Sequence, residues 1–208
     1  EGKIAARTGD SRWITNEQSR EYVHTLRHRH AAVMIGIGTL LADDPRLTTR
    51  LSVPGLHPVR VVIDSRLTIP EQAAILQDHA APVIVVTTER ADPAKAFRLQ
   101  QLGADVIRAG EGERVDLPLA LRKLGERRIG SILLEGGGTL NGAMLEAGLI
   151  DKIVLFFAPK LAGGPGERGS FVFSGIDRMS DAYRLEQVEL HRFGDDFCIT
   201  GYPRYPKL

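Results

Sequence analysis

The sequence predicts an α/β protein with a mainly parallel central sheet and an antiparallel C-terminal hairpin. Two observations predict it. Short Val/Ile-rich runs alternate with segments of helical pattern, as strands joined by crossover helices do. The last quarter breaks that alternation, because "YRLEQVELHRFGDDFCITGYP" (183–203) reads as two strands joined near Gly194-Asp195.

Six runs read as strands buried on both faces: "AAVMIG" (31–36), "VRVVID" (59–64), "VIVVTT" (83–88), "ADVIRA" (104–109), "SILLE" (131–135) and "KIVLFFAP" (152–159). "EGKIAAR" at the start looks like a strand that begins abruptly, as if another segment preceded it. Helices fall between the runs. "TNEQSREYVHTLRHR" opens with a T-x-x-Q capping box from Thr15 to Gln18. "DPAKAFRLQQLG" begins with Pro93 near its first turn and stops at Gly103. "LPLALRKLGE" and "TLNGAMLEAG" complete the set.

The composition narrows the function. A chain of 208 residues suits one generous domain or two small ones and can bury a substantial core. It has 27 basic and 26 acidic residues, a net charge of +1, and no basic block, which argues against nucleic acid as a partner. Cys198 is the single cysteine, so an intramolecular disulfide is excluded and a reducing compartment is indicated. The histidine spacings match no zinc motif, and no metal site is expected. No apolar stretch approaches transmembrane length, which points away from the membrane to a soluble, cytoplasmic protein.

Ligands of open α/β sheets bind beyond the carboxyl ends of the strands. The run at 31–36 delivers "GIGTLLADDPRLTTR" there, with Gly36, Gly38, Thr39, Asp43, Asp44, Arg46 and Arg50. The run at 59–64 delivers Asp64-Ser65-Arg66, that at 83–88 delivers Thr87-Thr88, and that at 131–135 delivers Glu135 and Gly136-Gly137-Gly138. The triplet fits neither the dinucleotide fingerprint nor the P-loop. Glycines before a helix starting near Thr139 would suit an anion, and a tight strand–helix turn would use them equally well. Glu135, barely solvated at that position, needs a partner, either loop N–H groups or a ligand donor. Asp43-Asp44-Pro45 also suits a plain turn, Trp13 plain packing, and His28-Arg29-His30 a solvated helix end. Gly163-Gly164-Pro165-Gly166 reads as a loop and a candidate lid. Local physics thus reaches a phosphate- or nucleotide-binding α/β protein.

Taken together, "EGKIA", "TGDSRWIT", "LRHRHAAVMIGIGTLLADDPRLTTR", "RVVIDSRL", "LLEGGGTLNGAMLEAGLID" and "APKLAGG" are more specific than any one of them. In this order they resemble the reductase domain of riboflavin biosynthesis, which follows a deaminase domain in the bifunctional bacterial enzyme. The resemblance covers essentially the whole chain. It implies a dihydrofolate-reductase-like three-layer fold, one NADPH-dependent reductase domain over residues 1–208, and NADPH as hydride donor. The implied reaction reduces the ribosyl side chain of 5-amino-6-(5-phosphoribosylamino)uracil, a phosphorylated pyrimidine, to the ribityl form.

By the same resemblance Ser11, Arg27, Leu47, Arg50 and Glu135 face the substrate. Trp13, Thr39, Asp43, Ser65 and the run Gly137, Gly138, Thr139, Leu140, Asn141, Gly142 and Ala143 face the cofactor. Two guanidinium forks suit a 5′-phosphate. Ser65 and Arg66 are candidates for the 2′-phosphate of NADPH. Lys3 and Glu135 are the catalytic candidates, with an exposed strand lysine as the plainer reading of Lys3. Glu1 stands where the family usually has Asp. The deaminase signature is absent from these residues, so no deamination is expected of them, and a deaminase domain upstream fits the abrupt start. Family members are commonly homodimers, and "KIVLFFAP" is read either as a dimer surface or as a buried internal strand. A dihydrofolate or pterin-type reductase and a non-catalytic nucleotide-binding regulatory domain stay open as alternatives.

Overall fold

The computed structural model describes residues 14–161 and 169–205. Lys3, Ser11, Trp13, the first expected strand and the candidate lid at Gly163–Gly166 lie outside the described residues. The chain divides into two compact units, Val23–Gly137 and the combination of Glu1–Tyr22 with Gly138–Leu208.

The Val23–Gly137 unit is a five-stranded parallel sheet. Its strands are β1 (Ala32–Gly36), β2 (Val59–Ile63), β3 (Val83–Thr87), β4 (Ala104–Arg108) and β5 (Ile132–Leu134), in the order β4-β3-β2-β1-β5. Each strand matches an expected run. The buried core gathers Val33 and Ile35 of β1, Val62 of β2 and Val85 of β3 with Leu99 of helix α4 (Pro93–Gln101). Consecutive Val and Ile residues are buried on both faces because helices cover a parallel sheet on both sides. The ends of α4 follow from local chemistry: the Asp92 carboxylate accepts the Ala94 N–H, Pro93 occupies the first turn, and Gly103 takes φ +87° just past the end. Helix α5 (Leu117–Glu126) starts in the same way from Asp116, whose carboxylate accepts the Leu119 N–H.

Two helices of this unit carry no strong sequence signal. Helix α2 (Ile37–Asp43) occupies a stretch to which the sequence assigns no element, and helix α3 (Ala74–Gln77) is one turn long. Gly36 caps α2 without a side-chain hydrogen bond, and Asp44 ends it in the left-handed region at φ 39°. No capping box or charge pattern marks α2 because its backbone supplies the ends itself.

In the other unit the predicted hairpin is present, as β7 (Arg184–Phe193) and β8 (Asp196–Arg204) joined through Gly194-Asp195, with Gly194 at φ +60°. The strand read from "KIVLFFAP", β6 (Ile153–Phe157), pairs antiparallel with β8, giving a three-stranded sheet of order β6-β8-β7. Its apolar run resembles the parallel strands, yet only Ile153 is fully buried. Antiparallel sheets tolerate one wet face, and composition alone does not separate the two kinds of strand.

Helix α1 (Glu17–Arg29) is capped one residue later than the sequence suggests. Asn16, not Thr15, is the cap: its side-chain oxygen accepts the Ser19 N–H at 2.9 Å. Asn16 wins because the hairpin holds it as well, its own N–H donating to Asp196 and its side-chain amide donating to the Phe193 carbonyl. Asp196 is almost fully buried and also accepts the Ser19 hydroxyl at 2.7 Å, which places a carboxylate at the positive end of the helix. Tyr22, Phe156 and Phe193 cluster on the same side of the sheet, with ring centroids 5.0–6.1 Å apart.

Helix α6 (Gly138–Glu146) is pressed against residues 169–172. A Cβ on Gly138 would collide with the Gly169 carbonyl, and one on Gly142 would collide with the Val172 backbone. The Val172 N–H donates to the Gly138 carbonyl, and the Asn141 side chain donates to the Ser170 carbonyl. Two glycines read as cofactor contacts therefore have a packing role of their own.

Candidate active site

Strand order locates the site in the Val23–Gly137 unit. From β1 the chain builds outward through β2, β3 and β4, then returns to add β5 on the other side of β1. The strand order reverses between β1 and β5, and a crevice outside the carboxyl ends of an open sheet lies at such a reversal. Gly36 to Thr39 leave β1 at that end, and Glu135 to Gly137 leave β5. The two turns touch: a Cβ on Gly137 would lie 2.9 Å from the Thr39 hydroxyl oxygen.

The strongest polar feature at this end joins two residues 108 positions apart. Arg27 of α1 donates from Nε and Nη2 to the two oxygens of Glu135, each at 2.7 Å, and from Nη1 to the Thr48 carbonyl at 3.0 Å. Both side chains are mostly shielded, at 13% and 20% exposure, so the fork-to-fork pair works in a partly desolvated setting. Glu135 thus has the partner its position demands. That partner is Arg27 rather than a loop N–H, although the Glu135 N–H itself is held by the Met34 carbonyl at 2.9 Å.

Around this pair runs the segment from Asp44 to Pro58, which contains no helix or strand. Leu47 has φ 55° and buries its side chain in the core, so only its backbone is offered to a ligand. A left-handed leucine is strained by about 1–3 kcal/mol, a feature that collects at functional sites. Arg50 is exposed and forms no salt bridge among the described residues. Its backbone N–H donates to Nδ1 of His24 at 3.2 Å. Burial, with help from the charges of Arg27 and Arg50, holds the His24 imidazole below its ordinary pKa, against an opposing pull from Glu135. No role for His24 is legible in the sequence. Its one signal is the His24-x-x-Arg27 spacing, which puts both side chains on one helical face.

Of the residues assigned to the cofactor, Thr39 is half-buried on α2 and Asp43 is exposed at its end. Ser65 follows β2, where its hydroxyl accepts the Val115 N–H at 3.0 Å and its carbonyl accepts the hydroxyls of Thr87 and Thr88. Its own hydroxyl hydrogen has no acceptor among the described residues and can be offered to a ligand. Arg66 beside it is exposed. On α6, in the other unit, Thr139 is exposed, Leu140 is buried, and Asn141 and Ala143 are half-buried. Among the described residues no group of three or more His, Cys, Asp or Glu side chains could hold a metal ion, and no helix is long and apolar enough to cross a membrane.

The family model described as the RibD C-terminal domain matches residues 1–199. The chain belongs to that family. Among RibD C-terminal domain relatives, the 2,5-diamino-6-ribosylamino-4(3H)-pyrimidinone 5′-phosphate reductase of Methanothermobacter thermautotrophicus is 42% identical over 201 residues, covering 96% of this chain and 91% of that protein. The riboflavin biosynthesis protein RibD of Bacillus amyloliquefaciens is 37% identical over 204 residues, covering 98% of this chain but 55% of that protein. The solved structure of Acinetobacter baumannii RibD superimposes with a TM-score of 0.81 at 28% identity, over 98% of this chain and 55% of that one. The chain thus spans about half of the RibD proteins it matches and nearly all of the archaeal reductase. Its fold is that of the RibD reductase domains, dihydrofolate-reductase-like.

Proposed function

We propose that this RibD C-terminal domain is an NADPH-dependent reductase of riboflavin biosynthesis that converts the ribosyl side chain of a phosphorylated aminopyrimidine to the ribityl form. One observation carries the reading. At the strand-order reversal the shielded Arg27–Glu135 pair and the exposed Arg50, which forms no ion pair among the described residues, all act on His24, and they lie in a family with a relative named as a ribosylaminopyrimidinone phosphate reductase. Arg50 and the remaining N–H groups of Arg27 suit the 5′-phosphate. Free lone pairs on the Glu135 oxygens suit donors on the ribose or pyrimidine, and the Leu47 backbone borders the same ligand.

The polar groups fit a nicotinamide dinucleotide. Thr39 and Ser65 offer hydroxyls at the carboxyl ends of neighbouring strands, Gly137 allows close approach, and Arg66 offers an exposed cation for a 2′-phosphate. When bound, NADPH supplies the hydride that reduces C1′ of the ring-opened ribose. The chain's own share is to hold the phosphate, orient the ribose through Glu135 and exclude alternative poses. We assign Trp13, Asp43 and the run Gly138 to Ala143 to the cofactor, Ser11 to the substrate, and Lys3 to charge near the reacting ribose, all on the family resemblance. A deaminase domain upstream and a cytoplasmic homodimer belong to the same reading. The buried free Cys198 supports the reducing compartment.

NADPH oxidation measured with 5-amino-6-(5-phosphoribosylamino)uracil, with its 2,5-diamino-pyrimidinone counterpart and with dihydrofolate tests the reading. Turnover with either phosphorylated pyrimidine is expected. Turnover with dihydrofolate alone would make the chain a folate-type reductase, and binding without turnover would make it regulatory. The ratio between the two pyrimidines fixes whether reduction follows or precedes deamination.

A further inference from the structure

Among the described residues, none from 45 to 57 takes part in a backbone–backbone hydrogen bond. Side chains hold this segment instead. Three backbone N–H groups donate to imidazoles: Thr49 to His57 Nδ1 at 3.1 Å, Arg50 to His24 Nδ1 at 3.2 Å, and Leu56 to His28 Nδ1 at 2.9 Å. Two carbonyls accept from arginines, Arg46 from Arg60 and Thr48 from Arg27. Gly55 lies against His28, where a Cβ would sit 3.4 Å from Nδ1 and 3.0 Å from the Thr49 methyl.

We propose that His24, His28 and His57 are positioning residues that latch the 45–57 segment through their Nδ1 atoms and thereby present Arg50 and the Leu47 backbone to the substrate. An imidazole accepts at Nδ1 only when that nitrogen is unprotonated, so the latch requires the neutral Nε2–H form of each ring. Protonation turns each acceptor into a donor facing an N–H, and the segment has no backbone ladder to fall back on.

For His24 the surroundings reinforce the latch. Burial disfavours protonation of the ring most, and Arg27 on its own helix and Arg50 on the segment add to it, while Glu135 at the end of β5 and a hydrogen bond with the Thr48 backbone favour the charged form. The balance holds the imidazole below its ordinary pKa. The latch at Arg50 therefore outlasts mild acidification.

The effect on turnover rests on the reductase reading; the effect on the segment does not. Ring ¹⁵N spectra and amide exchange of the intact chain, recorded from about pH 8 to about pH 5, test the latch directly. The three rings are expected as Nε2–H tautomers. Protection of the Thr49, Arg50 and Leu56 amides, corrected for intrinsic exchange, should fall as each ring protonates. Nδ1–H tautomers, or protection that ignores ring protonation, would overturn the proposal. In turnover, His24→Phe should raise KM for the phosphorylated pyrimidine about fivefold with little change in kcat. His24→Asn, which keeps an acceptor but cannot titrate, should restore KM and flatten its rise in acid. Unchanged KM in His24→Phe would remove the positioning role. Absence of turnover in the wild type would reject the reductase reading while the spectra still decide the latch.

Discussion

At the scale of single residues, the Arg27–Glu135 pair sets what the site can hold. A guanidinium has five N–H groups, and three of Arg27's are taken by Glu135 and the Thr48 carbonyl. Two remain for a phosphate, and the pair is neutral as a unit, so Arg50 carries the free charge. Glu135 holds Arg27 in one orientation and keeps a lone pair on each oxygen for the substrate. Replacing Glu135 with Gln keeps the shape, loses one charge-assisted bond, and turns an acceptor into a donor facing the guanidinium. The expected result is a fall in kcat/KM of about 10–100-fold, from about 1.5–3 kcal/mol of lost interaction, with KM for NADPH unmoved. Steady-state kinetics with each ligand varied in turn checks it, and a change within about twofold would leave Glu135 no role in the substrate site.

At the scale of elements, β2 places an arginine where its neighbours are Val and Ile. Arg60 is fully buried, and its guanidinium donates to Asp78 at 2.7 Å and to the Arg46 and Ala81 carbonyls. It ties β2 to the end of α3 and to the entrance of β3. Burial pushes the Asp78 carboxyl up, but the Ala80 N–H and the Arg60 guanidinium outweigh it and bring the group below its ordinary value of 3.8. A carboxyl whose folded pKa is depressed contributes stability that is complete above the unfolded value and disappears as pH falls through the folded one. Asp78→Asn should therefore cost about 3 kcal/mol at neutral pH, because it strands a buried cation. The deficit against wild type should shrink below pH 3.8 as the wild-type carboxyl is itself protonated. Urea denaturation at neutral and acid pH measures both effects, and a deficit independent of pH would assign the loss to packing alone.

At the scale of the whole molecule, what the sequence reveals depends on whether a feature is local. The six runs that become β1 to β6 and the start and stop of α4 are written in neighbouring residues and are found at the expected places, although β5 and most of β6 are only half-buried. Helices α2 and α3 escape because seven and four residues are too few for a periodic pattern. Sheet membership escapes as well, since β6 looks like a parallel strand and pairs as an antiparallel one. In the site, a costly carboxylate at 135 signals that a partner exists, but not that Arg27 supplies it, and the Nδ1 contacts of the histidines leave no pattern at all. Partners from another chain are further from view still, and the expected homodimer must be argued from surface. The register of the three-stranded sheet puts Leu190, Ile199 and Leu155 in one row and Arg192, Phe197 and Phe157 in the next, on the same face. Leu190 is 66% exposed and Phe197 42%, and an apolar cavity of about 260 Å³ lined by Ile153, Leu155, Phe171, Phe173 and Tyr183 continues this face. Exposed apolar patches collect at association sites, and the proposed homodimer would use this face. Sedimentation velocity is expected to show a dimer of the wild type. Leu190→Glu combined with Phe197→Glu should give a monomer with an unchanged circular dichroism spectrum, because both side chains point away from the Tyr22–Phe156–Phe193 cluster. A double variant that stays dimeric would place the interface elsewhere, and a monomeric wild type would remove the homodimer from the reading.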